Sequence, residues 1–140
     1  MANEVTDKEI QEAVIKIRAI EQQVPTIQKN IEALNKILIE TATAINTLKE
    51  ITKLKKETNT KTPIGSGVFI KSKVEKQEKV IIEVGEGVMV EKETSQVIET
   101  LQKRQKDIQD NIEKMQLSMQ SMEKDYTELA KKIQEFRQTH

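Results

Sequence analysis

Two runs of apolar residues with a period of three and a half confine this 140-residue chain to a narrow set of folds. The first run places Ile10, Ile17, Val24, Ile31, Leu38 and Ile45 at the a positions of a heptad. Ala13, Ile20, Ile27, Leu34, Thr41 and Leu48 fall at d. The second places Ile98, Gln105, Ile112, Met119, Tyr126 and Ile133 at a, with Leu101, Ile108, Met115, Met122, Leu129 and Phe136 at d. Eleven of twelve seam positions are apolar in each run, the exceptions being Thr41 and Gln105. A period of 3.5 rather than 3.6 is the signature of a left-handed supercoil, not of a helix lying on a globular core. Two such helices in one chain, joined through an insert, predict an antiparallel coiled-coil hairpin. The first helix is expected over 6–56 and the second over 94–138. Thr6 and Glu9 form a capping box ahead of Ile10, and Thr94 or Ser95 is the expected cap of the second helix.

Composition agrees with a coil. The chain has three aromatic residues, Phe69, Tyr126 and Phe136, and no Trp. A domain of this size normally fills its centre with several rings, each burying roughly 150–250 Å². The seam of a two-helix coil needs none.

The insert, 57–93, is of another kind. It holds all four Gly and Pro63. It also contains an internal repeat at an offset of 20 residues: Ile64-Gly65-Ser66-Gly67-Val68-Phe69-Ile70 against Val84-Gly85-Glu86-Gly87-Val88-Met89-Val90. Each G-x-G reads as a hairpin turn, where Gly supplies positive φ without steric cost, so Gly65, Gly67, Gly85 and Gly87 are the turn residues. Four strands are expected, about 59–64, 68–74, 79–84 and 87–92. Val68, Ile70 and Val74 share one parity, and so do Val80, Ile82 and Val84. Pro63 cannot donate to a ladder, which places its strand at an edge. The fold class is therefore α+β, a single domain over 1–140. Isolated hairpins are marginal in water and free edges recruit other strands. The hairpins are thus expected to finish their core on other subunits.

Several functions are excluded. Lys+Arg and Asp+Glu are 23 each, a balance that argues against nucleic acid as the main partner, since that normally needs a net basic face. No stretch approaches the ~20 apolar residues of a membrane span, and MANEVTDKE is not read as a signal peptide. Zero Cys fits a reducing cytosol and removes thiolate metal sites. The one His is His140, which leaves no His-based triad or metal cluster. The carboxylates lie on solvated heptad faces, and G-S-G and G-E-G lack the GK[ST] ending of a phosphate loop. No enzymatic activity and no cofactor are expected.

Three features have two readings on the residues alone. Met115, Met119 and Met122 read as seam filling or as an adaptable binding surface, the first being preferred. Pro25, on the outside of the seam, removes the hydrogen bond to the Glu21 carbonyl, and the resulting kink either aims the end of the coil or is a tolerated bend. Val14 and Ile15 lie off the seam near Ile133 and Phe136, and ordinary end rungs plus stray surface aliphatics explain them more simply than a binding tip does. Ile37, Ile39, Ile51 and Leu54, also off the seam, suggest a structural interface near the hairpins.

The order helix, two β-hairpins, helix resembles the prefoldin family, and four strands rather than two resemble its alpha-type subunits. The motif Thr62-Pro63-Ile64-Gly65-Ser66-Gly67-Val68-Phe69-Ile70-Lys71, followed by Val80-Ile81-Ile82-Glu83-Val84-Gly85-Glu86-Gly87-Val88, is the most specific stretch. The resemblance implies a cytoplasmic, ATP-independent holdase chaperone. It implies a hexamer of two alpha and four beta-type subunits whose hairpins build an oligomeric β-barrel. It implies capture of unfolded polypeptide at the coiled-coil tips and transfer to a group II chaperonin. On that basis Ile64, Val68, Phe69, Ile70, Val74, Val80, Ile82, Val84, Val88 and Val90 serve subunit assembly. Ile10, Val14, Ile15, Leu129, Ile133 and Phe136 line the client-binding tips, which reverses the preference stated above. A structural coiled-coil scaffold, or an alpha-like filament without client hand-off, is the alternative.

Overall fold

The first helix starts where its capping box places it. In the computed structural model, which describes residues 5–139, the Glu9 amide donates to Thr6 Oγ1 and the Thr6 amide donates to Glu9 Oε2, both at 3.3 Å. Two of the four orphan amides of the first turn are thereby satisfied. Helix α1 (Asp7–Thr52) runs without a break through Pro25. It is followed by strands β1 (Thr58–Gly65), β2 (Val68–Val74), β3 (Lys79–Gly85) and β4 (Val88–Glu93), and then by helix α2 (Thr94–Thr139).

The end of α1 corrects the expected boundary: the helix stops at Thr52, not Lys56. The next seam positions after Leu48 would be Thr52 and Lys55, so the apolar stripe runs out there. The Lys53 and Leu54 amides donate to the carbonyls of Glu50 and Ile51, a tighter closing turn that uses two of the last free carbonyls.

The chain divides into two compact units. One contains α1 up to residue 36 and α2 from 108 onward. Here the seam residues of α1 are all buried or half-buried, with Ala13 and Ile112 the most enclosed. Tyr126, at 38% exposure, is the most open seam residue of this unit, and its hydroxyl donates to Glu21 Oε1 on the other helix at 3.4 Å. Lys132 Nζ lies 3.8 Å from Glu9 Oε2. Low numbers on one helix meet high numbers on the other, so the pair is antiparallel.

The other unit, Ile37–Asp107, holds the remaining helical segments and the strands. Ile45 and Val97 are its buried apolar residues. Thr41, the polar exception in the first seam, is buried, and its hydroxyl donates to the Ile37 carbonyl at 2.7 Å. That bond satisfies the hydroxyl within its own helix, so a Thr fits in an apolar seam. The strands form two separate antiparallel ladders, β1 with β2 and β3 with β4, rather than one sheet.

Thr94 joins the second ladder to α2. It is 2% exposed, its amide donates to the Glu78 carbonyl at 2.9 Å, and its hydroxyl donates to the Gln77 carbonyl at 2.7 Å. The side chain thus anchors the 75–78 loop, a different role from the expected cap. Thr94→Val, which keeps the shape and removes the hydroxyl, is expected to cost about 1–3 kcal/mol by stranding the Gln77 carbonyl. Chemical unfolding and the hydrogen-exchange protection of β3 measure that loss.

Candidate functional site

The two hairpins repeat one backbone design. Between β1 and β2, Gly65 has φ 113°, Ser66 50° and Gly67 74°; between β3 and β4, Gly85 has φ 139°, Glu86 48° and Gly87 79°. Two consecutive residues with positive φ make the tight turn whose twist matches that of its flanking strands. A side chain at Gly67 would meet no neighbour, so glycine is needed there for its backbone angle and not for space. The Glu83 carboxylate adds a brace by accepting the Gly87 amide at 3.0 Å.

Just before each turn the register shifts. Pro63 pairs with Phe69 and Gly65 with Val68; Glu83 pairs with Met89 and Gly85 with Val88. Ile64 and Val84 are the extra residues of these bulges. The strict alternation expected to place Val84 with Val80 and Ile82 therefore ends one residue early, because a bulge interrupts the pleat.

The hairpins differ in how they are covered. In the second, Val80, Ile82 and Val90 are half-buried. Val80 and Ile82 share a cleft with Ala44 and Leu48 of α1 and with Val97 and Leu101 of α2. The off-seam residues Ile51 and Leu54 are also half-buried, while Ile37 and Ile39 are exposed. In the first hairpin, β1 is exposed along its whole length. Ile64, Val68, Phe69 and Ile70 are exposed as well, and Val74 is half-buried. The Thr62 and Ser72 hydroxyls share a hydrogen bond of 2.7 Å across the ladder. Val84 and Val88 of the second hairpin are exposed too. Sequence reasoning passed over Ile81 and Met89, both exposed on the reverse side of that hairpin. The register marks them, since Ile81 pairs with Glu91 and Met89 with Glu83. Each ladder has two strands, so among the described residues all four strands keep one unpaired edge.

In the helical unit, the residues expected at the tips are covered unevenly. Ile15 is 67% exposed. Ile10, Val14, Leu129, Ile133 and Phe136 are half-buried. Val14 adjoins Ala13, which is 2% exposed in the seam. Next to these residues lies a cleft floored by Ala19, Ile20, Met122 and Leu129 and rimmed by Lys16, Gln23, Asp125, Glu128 and Lys132. Ile20 and Met122 are seam positions of the heptads, and Ala19 lies off the seam, where the repeat does not mark it. The heptad accounts for seam membership, but not for which seam residues remain partly open.

Among the described residues, no group of three or more His, Cys, Asp or Glu could hold a metal ion. No described helix is long and apolar enough to cross a membrane. The chemistry these surfaces offer is apolar contact and strand pairing.

Known proteins share this arrangement. The family model described as prefoldin subunit matches residues 20–139. Ile10, Val14 and Ile15 precede the matched stretch. Prefoldin subunit alpha of Pyrococcus horikoshii is 31% identical over 133 residues, which cover 94% of this chain and 90% of that protein. Prefoldin subunit alpha of Methanobrevibacter smithii is 31% identical over 106 residues, 76% of this chain and 72% of that protein. A cryo-EM structure of filamentous PFD from Methanocaldococcus jannaschii superposes with a TM-score of 0.53 at 27% identity, covering 93% of this chain and 99% of that one.

Proposed function

Because this chain belongs to the prefoldin family as an alpha-type subunit, we propose that it is the assembly-forming subunit of an ATP-independent holdase. It acts in the cytosol, joins beta-type subunits through its hairpins and captures unfolded polypeptide with the ends of its coil. The observation that carries this reading is the pair of under-covered ladders. Ile64, Val68, Phe69 and Ile70 lie open beside unpaired strand edges. A chain that folds alone buries such residues or blunts such edges. Partner strands closing a barrel on these hairpins would do both. Two alpha and four beta-type subunits make the hexamer that the family resemblance implies, and a group II chaperonin receives the client.

At the other surface, Ile15 and the half-open residues Ile10, Val14, Leu129, Ile133 and Phe136 offer aliphatic and aromatic contact without a deep pocket. Shallow apolar surface suits clients that share only exposed hydrophobic groups. The adjoining charged rim of Lys16, Asp125, Glu128 and Lys132 keeps the surface hydrated when no client is present.

The test is aggregation of a chemically denatured client, followed by light scattering, with this chain co-purified with a beta-type subunit. Aggregation is expected to be delayed equally with and without ATP. Removing residues 1–15 together with 133–140 should weaken capture at least about tenfold, roughly 1.4 kcal/mol, while native mass spectrometry shows an unchanged assembly. If assembly is lost instead, the helix ends are structural; if the intact complex does not delay aggregation, the holdase reading fails.

A second reading has a specific observation behind it, the likeness to filamentous PFD over nearly the whole of both chains. On that reading this chain polymerises alone and works as a scaffold. Open-ended polymers from the chain by itself favour it, whereas discrete hexamers formed only with a beta-type subunit favour the chaperone.

A further inference from the structure

The zero net charge of the chain is a sum over unlike parts. The stretch 53–76 holds seven Lys against two Glu, a net of five positive charges that the rest of the chain offsets. Register gathers the centre of that excess on one side of the first ladder. Asn59 lies opposite Lys73, Lys61 opposite Lys71 and Pro63 opposite Phe69. Directly paired residues share a side, and alternate residues along a strand return to it, so these six make one face. All six are exposed, whereas Ser72 and Val74 on the reverse side are half-buried. Phe69, expected from the family resemblance to serve assembly, thus lies across the pleat from Val68 and Ile70.

Nothing in the ladder neutralises this face. Strands β1 and β2 contain no Asp or Glu. Among the described residues the ion pairs are Lys53 with Glu50 and Lys132 with Glu9, neither of them on the hairpin. The Lys61–Lys71 juxtaposition is unfavourable by itself, since like charges directly opposite repel. A shallow recess of the ladder includes Asn59, Lys61, Lys71 and Lys73 in its lining. Towards the turn, Phe69 presents a ring that is 57% exposed.

We propose that this face binds single-stranded nucleic acid, with phosphates against Lys61, Lys71 and Lys73 and a base stacked on Phe69. The unneutralised lysines call for a polyanion, which relieves their mutual repulsion and releases counterions as it binds. The exposed ring selects among polyanions. Every nucleobase has a face that stacks on an aromatic side chain, whereas an acidic peptide brings carboxylates and no such face. A duplex hides its base faces in its own stack. Along β2, Phe69, Lys71 and Lys73 recur at intervals of roughly 6.6 Å, so an extended strand laid on it meets a ring and then two cations in succession. The inference goes beyond the assembly reading: it uses the lysine side of one hairpin and leaves Val68, Ile70 and the unpaired edges for other subunits.

Fluorescence anisotropy of a labelled oligouridylate of about 15 nucleotides tests it, with the full chain both alone and co-purified with a beta-type subunit. Between about 0.05 M and 0.2 M salt, three neutralised phosphates give a slope of about −2 in log affinity against log salt, roughly a twentyfold loss. Lys61→Gln/Lys71→Gln/Lys73→Gln is expected to weaken binding at low salt by at least about tenfold and to flatten that slope. Phe69→Leu, which keeps an apolar side chain and removes the ring, should weaken binding at least about fivefold and leave the slope unchanged. Lys79→Gln/Lys92→Gln, on the second hairpin, is the control and should change affinity by less than about twofold. Helical circular dichroism and native mass spectrometry check that each variant folds and assembles. An oligouridylate that does not bind, or that binds the triple variant or Phe69→Leu as tightly as the unaltered chain, overturns the proposal. Equal competition by polyglutamate of the same charge assigns the face to an acidic protein segment and overturns it too, as does equal competition by a duplex of the same length. If the triple variant no longer joins the beta-type subunit, the face belongs to that contact and the proposal is again overturned. A complex that assembles without binding the oligouridylate removes this inference and leaves the assembly reading standing. A chain that binds it but never joins a beta-type subunit does the reverse.

Discussion

Val68→Asp/Ile70→Asp is expected to abolish co-assembly with a beta-type subunit while leaving the isolated chain's helicity unchanged. Both residues are about half exposed in the free chain, so each new carboxylate stays in water and costs little there. The proposed assembly buries the same positions. Each substitution then forfeits the burial of a branched aliphatic side chain, about 1.5–3 kcal/mol, and adds the penalty of an unpaired charge leaving water. A combined loss of about 4 kcal/mol or more lowers the association constant roughly a thousandfold. Native mass spectrometry of the mixed subunits reads the effect directly. An intact hexamer with the double variant would show that this hairpin face lies outside the interface. Asn59→Asp, on the opposite side of the fully exposed β1, is the natural companion variant: it adds one carboxylate away from Val68 and Ile70, and a much smaller effect is expected.

Ile112→Asp is expected to unfold the helical unit that Ile112 helps to hold together. This side chain is 7% exposed at an a position of the second seam. Truncation of a buried aliphatic costs about 2–5 kcal/mol by itself, and a carboxylate without a partner adds several more. The whole stability of a domain of this size is about 5–15 kcal/mol, so most of it is lost. Leu117→Asp supplies the contrast. Leu117 lies five residues further along α2, is 58% exposed and faces away from the seam. Its substitution should change stability by no more than about 0.5 kcal/mol. Urea unfolding followed by circular dichroism at the helical minimum compares the two. Equal effects would show that the seam does not hold α1 and α2 together.

Much of the architecture was legible because its main signals are local. The capping box at Thr6 and Glu9 needs four consecutive residues, and its two hydrogen bonds form as the spacing predicts. The turns need two glycines and a residue between them. The seam is readable at long range only because a heptad repeats one local rule many times. Where a boundary was missed, at Thr52, the reason was also local: the apolar stripe ends before the helix-forming residues do.

The candidate surfaces were less legible. Hairpin residues expected for assembly turn out to be of two kinds, and nothing within either repeat tells them apart. Val80 and Ile82 are half-buried because α1 and α2 present Ala44, Leu48, Val97 and Leu101 to one hairpin. In the other hairpin the matching positions are Thr60 and Thr62, which are exposed, and Val68 and Ile70 on the same side receive no such cover. Likewise Thr94 reads as a helix cap, whereas its hydroxyl is taken by Gln77, 17 residues away.

By itself, then, the sequence determined the element order, the turn chemistry, the helical seam and the kinship with prefoldins. Each of these rests on periodicity or on residues close together in the chain. Only the tertiary structure decided which repeat is covered by the helices and that the strands form two ladders instead of one sheet. The physical reason is that exposure belongs to pairs of elements. A strand's pleat assigns residues to two faces, but only the register and the neighbouring helices determine which face meets protein and which meets water.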